Sequence, residues 1–293
     1  MFLQVYRKIK TKFDTEKEIL IIKSKKFFAK KISDQKQFYK KIDNEIRIGL
    51  HFHVFYTDLI DEIYAHLRNI RHNFTLLITT TTDENSIFLD NFFKNHAHPN
   101  YKVIIKVVEN RGRDIYPFYQ AFCDTFNNYD VIGHFHTKKS FQNEHGNLWR
   151  KYLYKNLLGN NCFFDNVISL FSSDKNLGFV VPPPFPNKST CSAYYHYSMD
   201  PTVKKYIEIP LKIFNSELID SLYNDKHNKD FPCGNMFIAR TNAIRHFFST
   251  KLTSTDFPDE SGQLSGTLQH YVELMWKYLV DYNGYKYVEI IKK

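Results

Sequence analysis

The sequence predicts an α/β protein built on a central parallel or mixed sheet flanked by helices. Two observations carry that prediction. From residue 48 onward, apolar runs of strand length alternate with helical stretches of ~10–15 residues, the pattern of βαβ units with right-handed crossovers. Two polar segments also sit at the ends of apolar runs. Glu109-Asn-Arg-Gly-Arg-Asp-Ile-Tyr-Pro-Phe118 follows Val103-Ile-Ile-Lys-Val-Val108, and His134-Phe-His-Thr-Lys-Lys-Ser140 continues Tyr129-Asp-Val-Ile-Gly133. The carboxyl ends of neighbouring strands are where open α/β sheets bind ligands.

The elements follow in order. Residues 1–47 read as Lys-rich strand or helix fragments, with a helical stretch over 33–45. A strand is expected over 48–56, then a helix over 57–71 whose acidic start, Asp58-Leu-Ile-Asp-Glu-Ile63, suits the helix dipole. Strand 74–79, a Thr/Asp/Asn/Ser turn and helix 86–95 come next, then strand 103–108, helix 115–126 and strand 131–135. Beyond residue 147 the pattern turns mostly helical, with helices over 148–158 and 163–172. A short strand over 178–181 is ended by Pro182-Pro-Pro184. Residues 185–230 read as an irregular aromatic-polar loop or lid, followed by a strand over 235–239 and a long helix over 264–279. There is no internal repeat and no low-complexity linker.

At 293 residues the chain is long enough for one large α/β domain, or one domain with an extra lobe. The net charge of +9 is uneven: residues 1–50 hold 14 Lys/Arg against 6 Asp/Glu, leaving 26 against 25 elsewhere. Such a segment either lies on an anionic membrane surface, at about 1 kcal/mol per cation, or is a solvated face. Nucleic acid is not the expected partner, because a nucleic-acid protein spreads its basic stripe over the folded body and this body is neutral. Cys123, Cys162, Cys191 and Cys233 show no CxxC and no metal-ligand spacing. No apolar run approaches the ~18 residues that span a bilayer, and the start lacks a signal-peptide pattern. The expected location is cytoplasmic, with the inner membrane face open through the basic segment. There is no Walker P-loop, nucleophile elbow or HExxH, so those classes are set aside.

At the strand ends, Arg111, Arg113, Lys138 and Lys139 stand beside a single Asp114, a cationic edge suited to a nucleotide diphosphate. Gly112 allows a sharp turn between the two arginines, either of which can hold phosphate, with Asn110 on the same stretch. Asp114 has three open roles: bonding a ribose hydroxyl, holding an arginine, or capping the helix that begins at Ile115. His136 is a candidate donor-site residue. Arg150, beside Trp149, either reaches the same phosphates or is a surface arginine. For a general base, Asp259 and Glu260 precede the last helix, with Glu260 preferred; acidic residues there also satisfy the helix dipole.

Five motifs carry a more specific resemblance. Asn110-Arg-Gly-Arg-Asp-Ile-Tyr-Pro-Phe118, His136-Thr-Lys-Lys-Ser140, Trp149-Arg150, Gly234-Asn-Met-Phe237 and Gly266-Thr-Leu-Gln-His270 together resemble, in order and over roughly residues 48–275, the rhamnan synthesis protein F family. That family is similar to glycosyltransferases that build bacterial surface polysaccharides such as O-antigens. The resemblance implies a GT-A-like fold, with a nucleotide-sugar half at 48–145 and an acceptor half at 146–293. It implies inverting transfer from a nucleotide-diphosphate sugar, such as a dTDP-linked deoxyhexose like rhamnose, to a lipid-linked or oligosaccharide acceptor. It nominates Tyr56, Thr79 and Asp83 around the base, and Asn235 and His270 on the acceptor side. The aromatic stretch Tyr194-Tyr-His-Tyr197 would stack on sugar. Where GT-A enzymes commonly carry Asp-x-Asp and bind Mn²⁺ or Mg²⁺, this chain has His136-Thr-Lys-Lys139. Two ammonium groups can neutralise a leaving diphosphate directly, so no metal is expected. Ser265 stands where the family usually has Asp. The alternative reading is a non-catalytic carbohydrate-binding or assembly subunit.

Overall fold

The computed structural model describes residues 29–34, 46–137, 139, 145–160, 162–185, 231–263 and 267–293. The helical stretch expected over 33–45 falls mainly outside those residues, as do Tyr194–Tyr197, Lys138, Ser265 and Gly266. Within them the chain runs β1 (Lys30–Ile32), β2 (Ile48–His53), a 3-10 turn (Thr57–Leu59) into α1 (Ile60–Leu67), β3 (Phe74–Thr80), α2 (Asp83–Asn95) and β4 (Tyr101–Val107). Next come α3 (Ile115–Phe122), β5 (Val131–His136), α4 (His145–Leu157), α5 (Phe163–Ser173), β6 (Leu177–Val181) and β7 (Phe237–Arg240). The described chain closes with α6 (Arg245–Phe248), α7 (Leu268–Tyr282) and β8 (Lys286–Lys292).

The eight strands form one sheet in the order β1-β8-β6-β7-β5-β2-β3-β4. Every described pairing is parallel except the two made by β7, which runs against both β5 and β6. The fold is therefore of the expected α/β class, with a mixed sheet flanked by helices. The parallel run β4-β3-β2-β5 comes from the βαβ units read in the sequence. The reversed β7 joins it to the second half.

Strand alternation divides the core between the two faces. Leu50 and Phe52 of β2, Leu76 and Ile78 of β3 and Phe135 of β5 pack under α1, α2, α4 and α5. Leu77, Ile132, Phe179 and Phe237 face the other way, under α3, α6 and α7. Among the described residues, ten of the twelve largest fully buried side chains are Phe. Each contributes about 1.5–3 kcal/mol by leaving water, so much of the aromatic excess is core.

Several boundaries differ from the sequence reading for local reasons. Helix α2 starts at Asp83, three residues early, because the Thr82 side chain accepts the Asn85 N–H at 3.2 Å and caps it. Helix α3 stops at Phe122, where the chain tightens into 3-10 turns through Thr125 N–H to Phe122 O at 2.8 Å. Strand β8 is not among the expected elements, and β1, inside a segment read only as strand or helix fragments, pairs with it in parallel. The Lys-rich segment set apart at 1–47 thus contributes an edge strand to the sheet.

Candidate functional site

The site is built where β2, β3 and β5 end. Register places His51 opposite His134, and His53 opposite both His136 and Thr79. All five side chains point to the α3 side of the sheet. His51, His134 and Thr79 have no exposed surface, while His53 keeps 5% and His136 7%. His51 and His134 stack at 5.3 Å with planes 6° apart, and Phe118 of α3 covers both.

These polar groups are hydrogen-bonded to one another. His53 Nδ1 and His51 Nε2 lie 3.0 and 2.8 Å from Thr79 Oγ1; His51 Nδ1 lies 3.1 Å from His134 Nδ1; His134 Nε2 lies 3.0 Å from Asp114 Oδ2. Asn235 donates its amide to the same Asp114 oxygen, and the indole of Trp276 donates to Asn235 Oδ1 at 2.8 Å, which fixes the amide orientation. His136 Nε2 lies 2.9 Å from the carbonyl oxygen of Gly234. Gly234 (φ 89°) and Asn235 (φ 53°) are both left-handed, a turn that suits Gly and Asn and aims carbonyl and amide into the site.

Burial holds His51 well below its ordinary value and pushes His53 down to about 3. Burial also opposes charge on Asp114, but His136 and His134 beside it, together with the Asn235 amide, hold its carboxyl well below the usual range. The expected helix cap is not what Asp114 does. It makes no side-chain cap to α3 and is instead turned inward to His134 and Asn235.

The arginine loop forms the rim. Gly112 (φ 65°) and Arg113 (φ 52°) are consecutive left-handed residues. A Cβ on Gly112 would sit 2.6 Å from Phe257 and 2.8 Å from Tyr116, so only glycine fits. Arg111 pairs with Asp259, lies 3.6 Å from Glu109, and donates to Phe257 O at 2.9 Å; the Arg111 and Asp259 backbones also form an antiparallel bridge. The Arg113 N–H donates to Glu260 Oε1 at 3.0 Å, and its guanidinium donates to Gln263 O and lies 3.7 Å from Glu260. Two candidate phosphate-binding residues and both base candidates are therefore brought together, Arg111 against Asp259 with Glu109 beside it, and Arg113 against Glu260. Asn110 is exposed on the same turn, and Asp83 is exposed in the first turn of α2.

Across the strand ends, Thr137 Oγ1 accepts the N–H groups of Phe55 and Tyr56 at 3.0 and 3.1 Å, pinning the loop after β2. Lys139 pairs with Asp58 and lies 4.9 Å over the Tyr56 ring. Arg150 is 2% exposed, with a two-pronged contact to Glu62 at 3.1 and 2.8 Å and a third bond to Asn147 at 2.8 Å. His270 bonds Thr267 at 2.6 Å through Nδ1, and burial, reinforced by Arg113, pushes it down to about 4. Gln269 is buried beside Glu260, its amide nitrogen at 3.4 Å.

Sequence reasoning passed over His51, His53, His134 and Trp276. The signal was there for the histidines: His-Phe-His occurs twice, at 51–53 and 134–136, each in an apolar strand. Among the described residues no three His, Cys, Asp or Glu side chains converge as a metal-binding group.

The mixed sheet, with this histidine-rich, arginine-rimmed edge, defines an α/β protein whose polar site lies at the carboxyl ends of β2, β3 and β5. The comparisons go one step further. The family model of rhamnan synthesis protein F matches residues 13–285, and the chain belongs to that family. The match reaches back into the Lys-rich segment that the five motifs did not include. WxcX of Xanthomonas campestris pv. campestris, in strains B100 and ATCC 33913, is 27% identical over 235 residues, covering 80% of this chain and 31% of its own. The chain thus spans about a third of the length of those relatives. Among solved structures, the mannosyltransferase PcManGT of Pyrobaculum calidifontis, in complex with GDP-Man and Mn²⁺, matches with 11% identity and a TM-score of 0.37, over 81% of this chain and 62% of that one. A likeness of that size carries nothing over to this chain. No helix among the described residues is long and apolar enough to cross a membrane.

Proposed function

We propose that this chain is a glycosyltransferase domain acting in polysaccharide synthesis, moving a sugar from a nucleotide-diphosphate donor to a growing saccharide. Membership of the rhamnan synthesis family supports the class. The observation that carries the reading is the pairing at the rim, Arg111 with Asp259 and Arg113 with Glu260. A diphosphate, more highly charged than a carboxylate, offers each arginine a competing two-oxygen partner. Its arrival would draw the guanidinium groups away and leave a carboxylate free to take the acceptor's proton. Glu260, whose side chain is 20% exposed against 84% for Asp259, is the better shielded base. In this reading Lys138 and Lys139 neutralise the leaving diphosphate without a metal, and Tyr56 flanks the donor base. The sugar is a deoxyhexose such as rhamnose, transferred with inversion to a lipid-linked acceptor. The basic segment at 1–47 holds the domain at an anionic membrane surface.

The test is calorimetric binding of dTDP, UDP, GDP and CMP, with and without EDTA, to wild type and to Lys138→Ala/Lys139→Ala. One diphosphate should bind, survive EDTA and weaken in the double variant. Loss of binding with EDTA would keep the transferase and refute the lysine substitution for metal. Glu260→Gln should abolish transfer and spare binding. If no nucleotide binds, the second reading takes over, a non-catalytic assembly subunit, in which the arginine–carboxylate pairs are the finished structure.

A further inference from the structure

Neutral imidazole has one donor and one acceptor nitrogen, and a threonine hydroxyl has one proton to give. A line of such groups therefore points one way or the other as a whole. Here the line is His53, Thr79, His51, His134, and it ends on Asp114. An ionised carboxylate only accepts, so His134 donates from Nε2 and accepts at Nδ1. His51 must then donate from Nδ1 and accept at Nε2. Thr79 spends its proton on His51 Nε2 and accepts from His53 Nδ1–H. Every member is buried, and the line lies beside the aromatic packing of Phe118 and Phe237.

The outer end differs from the rest. His53 is the last residue of β2, at the carboxyl edge of the sheet, and keeps a little exposure where His51 and His134 have none. We propose that Asp114, acting through His134, His51 and Thr79, locks His53 in its Nδ1–H tautomer and makes His53 Nε2 an obligate hydrogen-bond acceptor for a ligand hydroxyl at the sheet edge. Sugars and ribose are the hydroxyl donors that the proposed function supplies, and the inference rests on that reading for its ligand but not for its tautomers. Asp114, His134, His51 and Thr79 are then positioning residues, and His53 is the group that touches ligand. The same logic gives Asn235 and Trp276 a purpose: Asn235, its amide fixed by the Trp276 indole, donates to the same Asp114 oxygen that His134 meets, and so helps keep that carboxylate ionised and facing His134.

Long-range ¹H–¹⁵N correlation spectra of the full chain with ¹⁵N-labelled histidine distinguish the tautomers directly. The unliganded protein at pH 7 should show Nδ1–H for His51 and His53 and Nε2–H for His134. Thr79→Val removes the link and should release His53 to Nε2–H, while His51 and His134 keep their signals and so certify the fold. Thr79→Ser should retain the wild-type pattern. A proton shared onto His134 would reverse the whole line, so finding His53 as Nε2–H, or His134 as imidazolium, in the wild type overturns the proposal. Titration with UDP or with free L-rhamnose should then move the His53 Nε2 resonance, the first naming ribose and the second the sugar as hydroxyl source. Nucleotide binding seen by calorimetry with no response at His53 to either probe would leave the transferase reading standing and sink this one. The expected tautomers in a protein that binds no nucleotide, with a response to rhamnose alone, would do the reverse.

Discussion

Replacing Arg150 with methionine separates a structural arginine from a phosphate-binding one. The guanidinium is 2% exposed, bound through two nitrogens to Glu62 and through a third to Asn147. Breaking a buried ion pair by removing one partner costs about 3–5 kcal/mol. The Glu62 side chain is 23% exposed, so water recovers part of that. Methionine also keeps much of the apolar stem. The net loss should be about 2–3 kcal/mol, which for a domain of this size lowers Tm by roughly 4–12 °C. Differential scanning calorimetry reads the shift. Pairing Arg150→Met with Glu62→Gln should recover about half of it, because no uncompensated carboxylate then remains. Diphosphate affinity should stay within about twofold of wild type in both. An unchanged Tm with a tenfold loss of diphosphate affinity would refute the argument and return Arg150 to the phosphate site.

Two further outcomes follow from the site. His53, at about 3 in the fold against ~6.5 unfolded, stays neutral in the native state while the unfolded chain takes up a proton. Its contribution is fully present above pH ~6.5 and is lost on acidification towards pH 3, at up to about 1.4 kcal/mol per pH unit. The titratable groups around it, His51, His134, His136 and Asp114, are retained in His53→Gln, so the stability read by urea unfolding should fall about 2 kcal/mol less between pH 7 and 5 in that variant; identical pH slopes would contradict the assignment. Gly112→Ala places a methyl group 2.6 Å from Phe257 at a φ of 65°. It should cost about 1–3 kcal/mol and weaken diphosphate binding by shifting Arg111 and Arg113; a variant as stable as wild type in chemical denaturation would show that the loop has room the structure does not indicate.

The half of the fold that alternates regularly was legible because each strand there is a short apolar run followed by a helical stretch, two of which, α1 and α2, open on acidic first turns. β2 to β5 and their helices came through with errors only at the ends, where capping by Thr82 and a 3-10 tightening after Phe122 decide the boundary. β1 and β8 were not legible. β1 is three residues inside a Lys-rich stretch, and β8, Lys286-Tyr-Val-Glu-Ile-Ile-Lys292, mixes charge with apolar residues as an element near a sheet edge does. Of the candidate site, the arginine loop and Asp114 stood out because charge at a strand end is conspicuous. The histidines did not, because two imidazoles within an apolar strand resemble packing until register sets the strands side by side. Asn235 was legible as a motif residue, but its left-handed backbone and its indole partner Trp276 needed coordinates.

The pairing of β1 with β8 has a consequence for how the molecule is made. Lys30 is bonded in register with Ile290, 260 positions further along the chain. At a synthesis rate of ~5–20 residues per second, β1 waits roughly 10–50 s for its partner. Until then the flank of β6 that β8 will occupy is also bare. A nascent chain holding an unpaired strand that long risks pairing with a neighbour. The lysines on β1, two of its three residues, are a suitable deterrent, since like charges on a second nascent copy repel. Basicity that the sequence reading assigns to a membrane contact would thus also suit the sheet's margin during translation.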